Sequence, residues 1–73
     1  MAHRNRGFAY SGLGKHQQAI KDYNKAIELD PQDAGTYYNR GVAYSKLDNH
    51  QQAIADIKTA AKLVIPFKVN NKN

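Results

Sequence analysis

Apolar positions along this chain fall at helical spacing, in blocks separated by glycine, proline and short polar residues. Phe8, Ala9, Tyr10 and Leu13 form the first block. Gly12 and Gly14 interrupt it, and Gly14 suits the left-handed residue just past a helix end. From His16 to Leu29, residues Ala19, Ile20, Tyr23, Ala26 and Ile27 make the i, i+3, i+4, i+7 stripe of an amphipathic helix. Asp30-Pro31 stops that helix, because proline has no N–H for the helical ladder and restricts the residue before it. A third block opens at Asp33, a good N-cap, and runs to Leu47. Asp48-Asn49 makes the next turn, and Asn49 is placed to cap the helix that starts at His50. Lys15 holds the equivalent cap position and has no acceptor to offer, so the first turn is expected to be the looser one. Helices are therefore expected at about 2–13, 16–29, 33–47 and 50–64. The β-favouring runs, Tyr37-Tyr38 and Leu63-Val64-Ile65, fall inside these helices or at their ends. The pattern is all-α: helix, turn, helix, twice.

The two halves are one unit repeated. Asn5-Arg6-Gly7 returns as Asn39-Arg40-Gly41, and His16-Gln17-Gln18-Ala19-Ile20 returns as His50-Gln51-Gln52-Ala53-Ile54, both at an offset of 34 residues. Ala9, Tyr10, Ser11 and Leu13 recur as Ala43, Tyr44, Ser45 and Leu47, and Asp22, Ala26 and Leu29 as Asp56, Ala60 and Leu63. A period of this length marks a stacked-repeat architecture. Residues 1–32 are then the first repeat, 33–66 the second, and 67–73 a short basic tail expected to fray.

Composition narrows the classes of function. A chain of 73 residues has room for one small domain. It contains no cysteine, which removes disulfides and thiolate metal sites. No run approaches the ~18 apolar residues of a membrane span, and the polar, basic start is not a signal peptide, so cytoplasm is the default location. Lysine and arginine outnumber aspartate and glutamate by 11 to 6, a balance that favours acidic partners.

The repeat resembles the tetratricopeptide repeat, whose period is about 34 residues and whose pattern runs aromatic, Leu, Gly, Tyr, Ala, aromatic, Ala, Pro. In the first repeat those positions are His3, Arg6, Gly7, Tyr10, Ala19, Tyr23, Ala26 and Pro31. In the second they are Tyr37, Arg40, Gly41, Tyr44, Ala53, Ile57 and Ala60, with Pro66 one residue late. The resemblance covers about residues 2 to 66 and implies a fragment of right-handed α-solenoid. Its departures are the arginines in place of the leucine, His3 for the first aromatic, and Ile57 for the second aromatic of the second repeat.

The family binds peptides in a concave groove lined by the first helix of each hairpin. Carried over by position, that groove is expected to present Arg4, Asn5 and Phe8 from the first repeat, and Tyr38, Asn39, Val42 and Lys46 from the second. Asn5 and Asn39 match one position of the family's carboxylate clamp, but Phe8 and Val42 replace its second asparagine, so the clamp is incomplete. Arg4 and Lys46 beside Phe8 and Tyr38 suit an acidic peptide with an apolar anchor. A protein partner of that kind is the expected one. The alternative is self-association: Ile54, Ile57, Ala61, Val64 and Ile65 lie on a last helix with nothing after it to cover them, and such a patch marks an interface. A homo-oligomer, stacked or hairpin-swapped about Asp30 to Asp33, would follow. Nucleic acid is a weaker third reading, because the basic residues are dispersed rather than gathered into a stripe.

Little here points to chemistry. Ser11 and Ser45 have no patterned histidine–carboxylate pair, and Gly12-x-Gly14 follows no strand as a phosphate loop would. His16 and His50 recur one repeat apart, about a helix-packing distance of ~8–10 Å and too long to share an ion. No enzyme activity, cofactor or metal is expected.

Overall fold

The computed structural model describes residues 2–64. Ile65, Pro66 and the tail 67–73 lie outside the described residues, as does Met1. Four helices follow in order: α1 (Ala2–Gly12), α2 (His16–Leu29), α3 (Ala34–Lys46) and α4 (His50–Val64), with no strand among the described residues. α1 packs on α2, α2 on α3 and α3 on α4, while α1 only brushes α3. The fold is two helix-turn-helix hairpins stacked side by side.

Both hairpin turns close in the same way. Leu13 and Leu47 donate to the carbonyls of Tyr10 and Tyr44 at 3.0 Å, and Lys15 and Asn49 donate back to the same carbonyls at 2.9 Å. This 6→1 closure requires a left-handed residue between them, which is Gly14 (φ 80°) in the first turn and Asp48 (φ 63°) in the second. The cap difference expected between Lys15 and Asn49 is present, on top of identical backbone closures. Lys15 makes no side-chain cap, and Asn49 reaches the Gln52 N–H only at 3.5 Å, so the backbone bonds common to both turns set the geometry.

Between the hairpins, the Asp30 amide donates to Ala26 at 2.8 Å to finish α2, and the Asp30 carboxylate accepts from Gln32 at 3.2 Å. Asp33 then caps α3, accepting from the Gly35 amide at 3.1 Å and from the Thr36 hydroxyl at 3.0 Å. Arg4 of α1 reaches across to the same carboxylate at 3.1 Å and ties the two hairpins at that end.

Small residues let the helices approach. A Cβ on Gly7 would sit 2.7 Å from the Tyr23 ring, so glycine is what allows α1 to lie flat on that ring. Ala19 and Tyr23 of α2 meet Ala43 of α3 in the core, with Tyr10 and Ile20 packed against its edge. That cluster is where α3 covers the first hairpin.

Candidate functional site

Two arginine–aspartate pairs fix the interior of the hairpins. Arg6 donates to Asp22 through Nε at 2.9 Å and Nη2 at 2.7 Å, and Arg40 donates to Asp56 through the same nitrogens at 2.8 and 2.7 Å. Both aspartates are buried. The Arg6 hydrogen bonds hold the Asp22 carboxyl below the usual range against the opposing effect of burial, and His3 adds to the pull from 3.8 Å. The hydrogen bonds to Asp22 and Asp56 raise their arginine partners in turn. These pairs use the arginines that replace the family's leucine. Their signal in the sequence is the spacing of 16 residues from arginine to aspartate, the same in both repeats, which the sequence reading did not connect. Each pair uses two of its arginine's three nitrogens.

The second hairpin carries two neighbouring clefts on its exposed face. A cleft of about 390 Å³ lies along it, walled by Tyr38, Val42, Ala53, Ile54 and Ile57, with Ser45, His50 and Lys58 at its edge. A second cleft of about 360 Å³ shares Tyr38 and Ile57 with the first and continues past Ala34, Ala60, Ala61 and Val64. The two make one apolar trough along α3 and α4. Val42 is half-buried in it, while Tyr38, Ile54, Ile57, Ala61 and Val64 are exposed.

The residues expected at the peptide groove and at the self-association face are sorted differently here. Tyr38 and Val42, named for the groove, line the trough together with Ile54, Ile57, Ala61 and Val64, named for self-association. Ile65 lies outside the described residues. Arg4 is engaged with Asp33, and Asn5 is exposed on α1. Phe8 stands 65% exposed on α1, and no α1 residue lines either cleft. Asn39 is half-buried, and Lys46 is exposed in the last turn of α3. Lys58 went unnoticed in the sequence, because a lone lysine on a helix has the pattern of any solvated residue. Its only sequence signal is register, since it stands where the first repeat has Asn24.

Charge on the second hairpin is one-sided, and Lys58 is its member in the trough lining. Once Arg40 and Asp56 are paired, α3, α4 and the turn between them retain Lys46, Lys58 and Lys62 against Asp48 alone. Lys58 and Lys62, four residues apart on α4, share a face. The Ser11 hydroxyl meets His16 Nδ1 at 3.5 Å, and His50 Nε2 lies 3.9 Å from Asp48, contacts too long to activate a nucleophile. Among the described residues no group of three or more histidines, cysteines or acidic residues is gathered for a metal. No helix among them is long and apolar enough to cross a membrane.

Two stacked hairpins built from one repeated unit define a helical-repeat protein, a short length of α-solenoid. Family comparison agrees: a TPR repeat model matches residues 9–48, more than half of the 73, and a tetratricopeptide repeat model matches residues 34–63. The chain belongs to the tetratricopeptide-repeat family. No curated protein matches it. Members of the family generally mediate protein–protein interaction and are generally non-catalytic.

Proposed function

We propose that the chain is a protein-binding module whose docking surface is the trough between α3 and α4. It takes a partner segment that seats apolar side chains against Tyr38, Val42, Ile54 and Ile57 and sets acidic groups toward Lys46 and Lys58. The observation that carries this reading is the apolar trough, whose lining carries a single charged side chain, Lys58. An apolar patch with a polar edge is a usual form of interaction site. Arg4 has a lesser part in it, because its guanidinium is committed to Asp33. Asn5, Asn39 and Phe8 remain proposed as outlying contacts for a longer segment.

A displayed library of acidic peptides with one or two apolar anchors, selected on the immobilised chain, tests the assignment. Binders are expected to lose tenfold or more in affinity on Ile57→Glu, about as an interface hot spot does, and to change little on Arg4→Ala. Binders indifferent to Ile57→Glu and Tyr38→Ala would place the docking surface elsewhere.

Self-association is the second reading, favoured by the same exposed Ile54, Ile57, Ala61 and Val64. Light scattering separates the two. A mass that doubles with concentration and returns to that of one chain on Ile57→Glu would favour it.

A further inference from the structure

The trough has a counterpart on the first hairpin, and there its occupant is visible. At the 34-residue offset, Ala53, Ile57, Ala60 and Ala61 of the trough correspond to Ala19, Tyr23, Ala26 and Ile27. Those four are buried or half-buried, and Tyr23 is 1% exposed where Ile57 is 39% exposed. What covers them is α3, with Ala43 set into the core between hairpins and Arg40 Nη1 donating to Asn24 Oδ1 at 2.9 Å. One face of the repeat is therefore seen twice, once occupied and once open.

We infer that the open face accepts an α-helix in the register in which α3 lies on the first hairpin, and that this helix carries a carboxylate opposite Lys58. The inference rests on the trough being the docking surface and specifies its occupant. Two independent features support it.

The first is backbone chemistry. The second cleft is walled by alanines, Gly35, Ile57, Val64 and Tyr38, so among the described residues the Tyr38 hydroxyl is its only side-chain hydrogen-bonding group. A buried backbone N–H or carbonyl must find a partner, and the groups of an extended segment that face this cleft would find almost none. A helix satisfies its own. The alanines beneath allow it to approach as closely as Ala43 approaches Ala19.

The second is charge. Position 24 of the first repeat is asparagine, which accepts from Arg40; position 58 of the second is lysine. An arginine in the Arg40 register would meet a like charge there, and a carboxylate would meet its opposite. This discriminates against the head-to-tail stack of a second molecule. The α1 helix of a second molecule carries Ala9 where α3 has Ala43, which fits, but Arg6 where α3 has Arg40. With Nε and Nη2 held by Asp22, the remaining nitrogen of Arg6 would point at Lys58. The mismatch acts as a filter against self-stacking and in favour of an acidic helix from another protein.

The test uses the isotopically labelled full chain and synthetic peptides of residues 33–47, followed by backbone amide NMR. Three peptides are compared: the native sequence, Arg40→Glu, and Arg40→Glu with Ala43→Pro, which breaks the helix. The Arg40→Glu peptide is expected to shift the amides of Ile54, Ile57 and Val64 and to bind roughly five- to tenfold tighter than the native peptide. On the Lys58→Glu chain the order is expected to reverse, and the proline peptide is expected to bind weakly to both chains. A preference that survives Lys58→Glu unchanged overturns the charge assignment while leaving the trough as the docking surface. Equal binding of the proline peptide overturns the helix. Shifts at Ala19 and Tyr23 in place of the trough mean that the peptide displaces α3, which also overturns it. Trough amides that move on dilution of the chain alone identify a second molecule as the occupant and overturn it too. If no peptide moves these amides, the helix inference fails, and the docking surface is judged by whether Ile57→Glu weakens the selected binders.

Discussion

Arg40 grips Asp56 through Nε at 2.8 Å and Nη2 at 2.7 Å, and extends its remaining nitrogen to Asn24 on the preceding helix. One side chain thus closes its own hairpin and fastens it to the one before. Its guanidinium also lies 5.6 and 5.8 Å from the ring centres of Tyr37 and Tyr44, which shield it. Arg6 makes the same pair with Asp22, but its side chain is 61% exposed against 21% for Arg40, which has Asn24, Tyr37 and Tyr44 around it.

The two arginines are accordingly expected to differ in cost when removed. Arg40→Ala strands a buried Asp56, frees Asn24 and uncovers two tyrosines, and is expected to lower stability by about 2–3 kcal/mol. Arg6→Ala strands an equally buried Asp22 but removes no bridge to a neighbouring hairpin, and is expected to cost less. Urea unfolding of the two variants checks the order. Equal losses would mean that the bridge to Asn24 and the tyrosine shield contribute nothing.

The glycines divide in the same way. A methyl on Gly7 collides with the Tyr23 ring at 2.7 and 2.9 Å, and that ring is held in the core between hairpins. At Gly41 the nearest atom is the Ile57 terminal methyl at 3.0 Å, on a side chain with open space beside it. Gly12 has nothing within 4 Å and is helical. Gly7→Ala is expected to cost about 1–3 kcal/mol and Gly41→Ala less, while Gly12→Ala gains about 0.5–1 kcal/mol from helix propensity. Thermal melts of the three variants should fall in that order.

The left-handed turn residue offers a further comparison. Gly14 adopts φ 80° without strain, whereas Asp48 adopts φ 63° in the equivalent turn and pays for its Cβ. Asp48→Gly is expected to stabilise the chain by up to about 1 kcal/mol, and Gly14→Ala to destabilise it by a similar amount. A neutral Asp48→Gly would mean that the carboxylate, 3.9 Å from His50, compensates for the strain.

How much of this was legible in the sequence depended on whether a feature repeated. Apolar spacing exposed the four helices, and the 34-residue offset exposed the recurring glycines and alanines, because each of these depends on residue type at a repeated position. The missing cap at Lys15 was legible from residue type, whereas the backbone closure to Tyr10 that both turns share was not. Asp22 and Asp56 stood out as a recurring position, but their partners did not, since a pair separated by 16 residues becomes visible only when two helices are folded together. Val42 and Ile57 looked like members of two separate surfaces. Each lies on a different helix, and only the packing of α3 on α4 joins them. Lys58 was legible only as a departure from Asn24, which means nothing until Arg40 is seen reaching for that position.

Acid should reveal the Arg6–Asp22 pair. The Asp22 carboxyl is held below its ordinary value of 3.8, chiefly by the hydrogen bonds from Arg6. A carboxyl with a lower pKa folded than unfolded contributes stability that is fully present above the unfolded value. That contribution is lost as pH falls through the folded one. Asp33 behaves likewise: burial opposes ionisation, but the Thr36 hydroxyl, Arg4 and two backbone N–H groups outweigh it. The midpoint of thermal unfolding is therefore expected to vary little from pH 7 to about 4.5 and to drop below about pH 4. Asp22→Asn is expected to begin with a lower midpoint at pH 7 and to lose less on acidification, because the group that titrates is gone. Asp33→Asn serves as the comparison, since its amide oxygen still caps α3 while the charge facing Arg4 is removed. Unfolding curves of the three proteins at several pH values between 7 and 2.5 decide the matter. An acid limb as steep in Asp22→Asn as in the parent chain would show that the pair does not couple folding to pH.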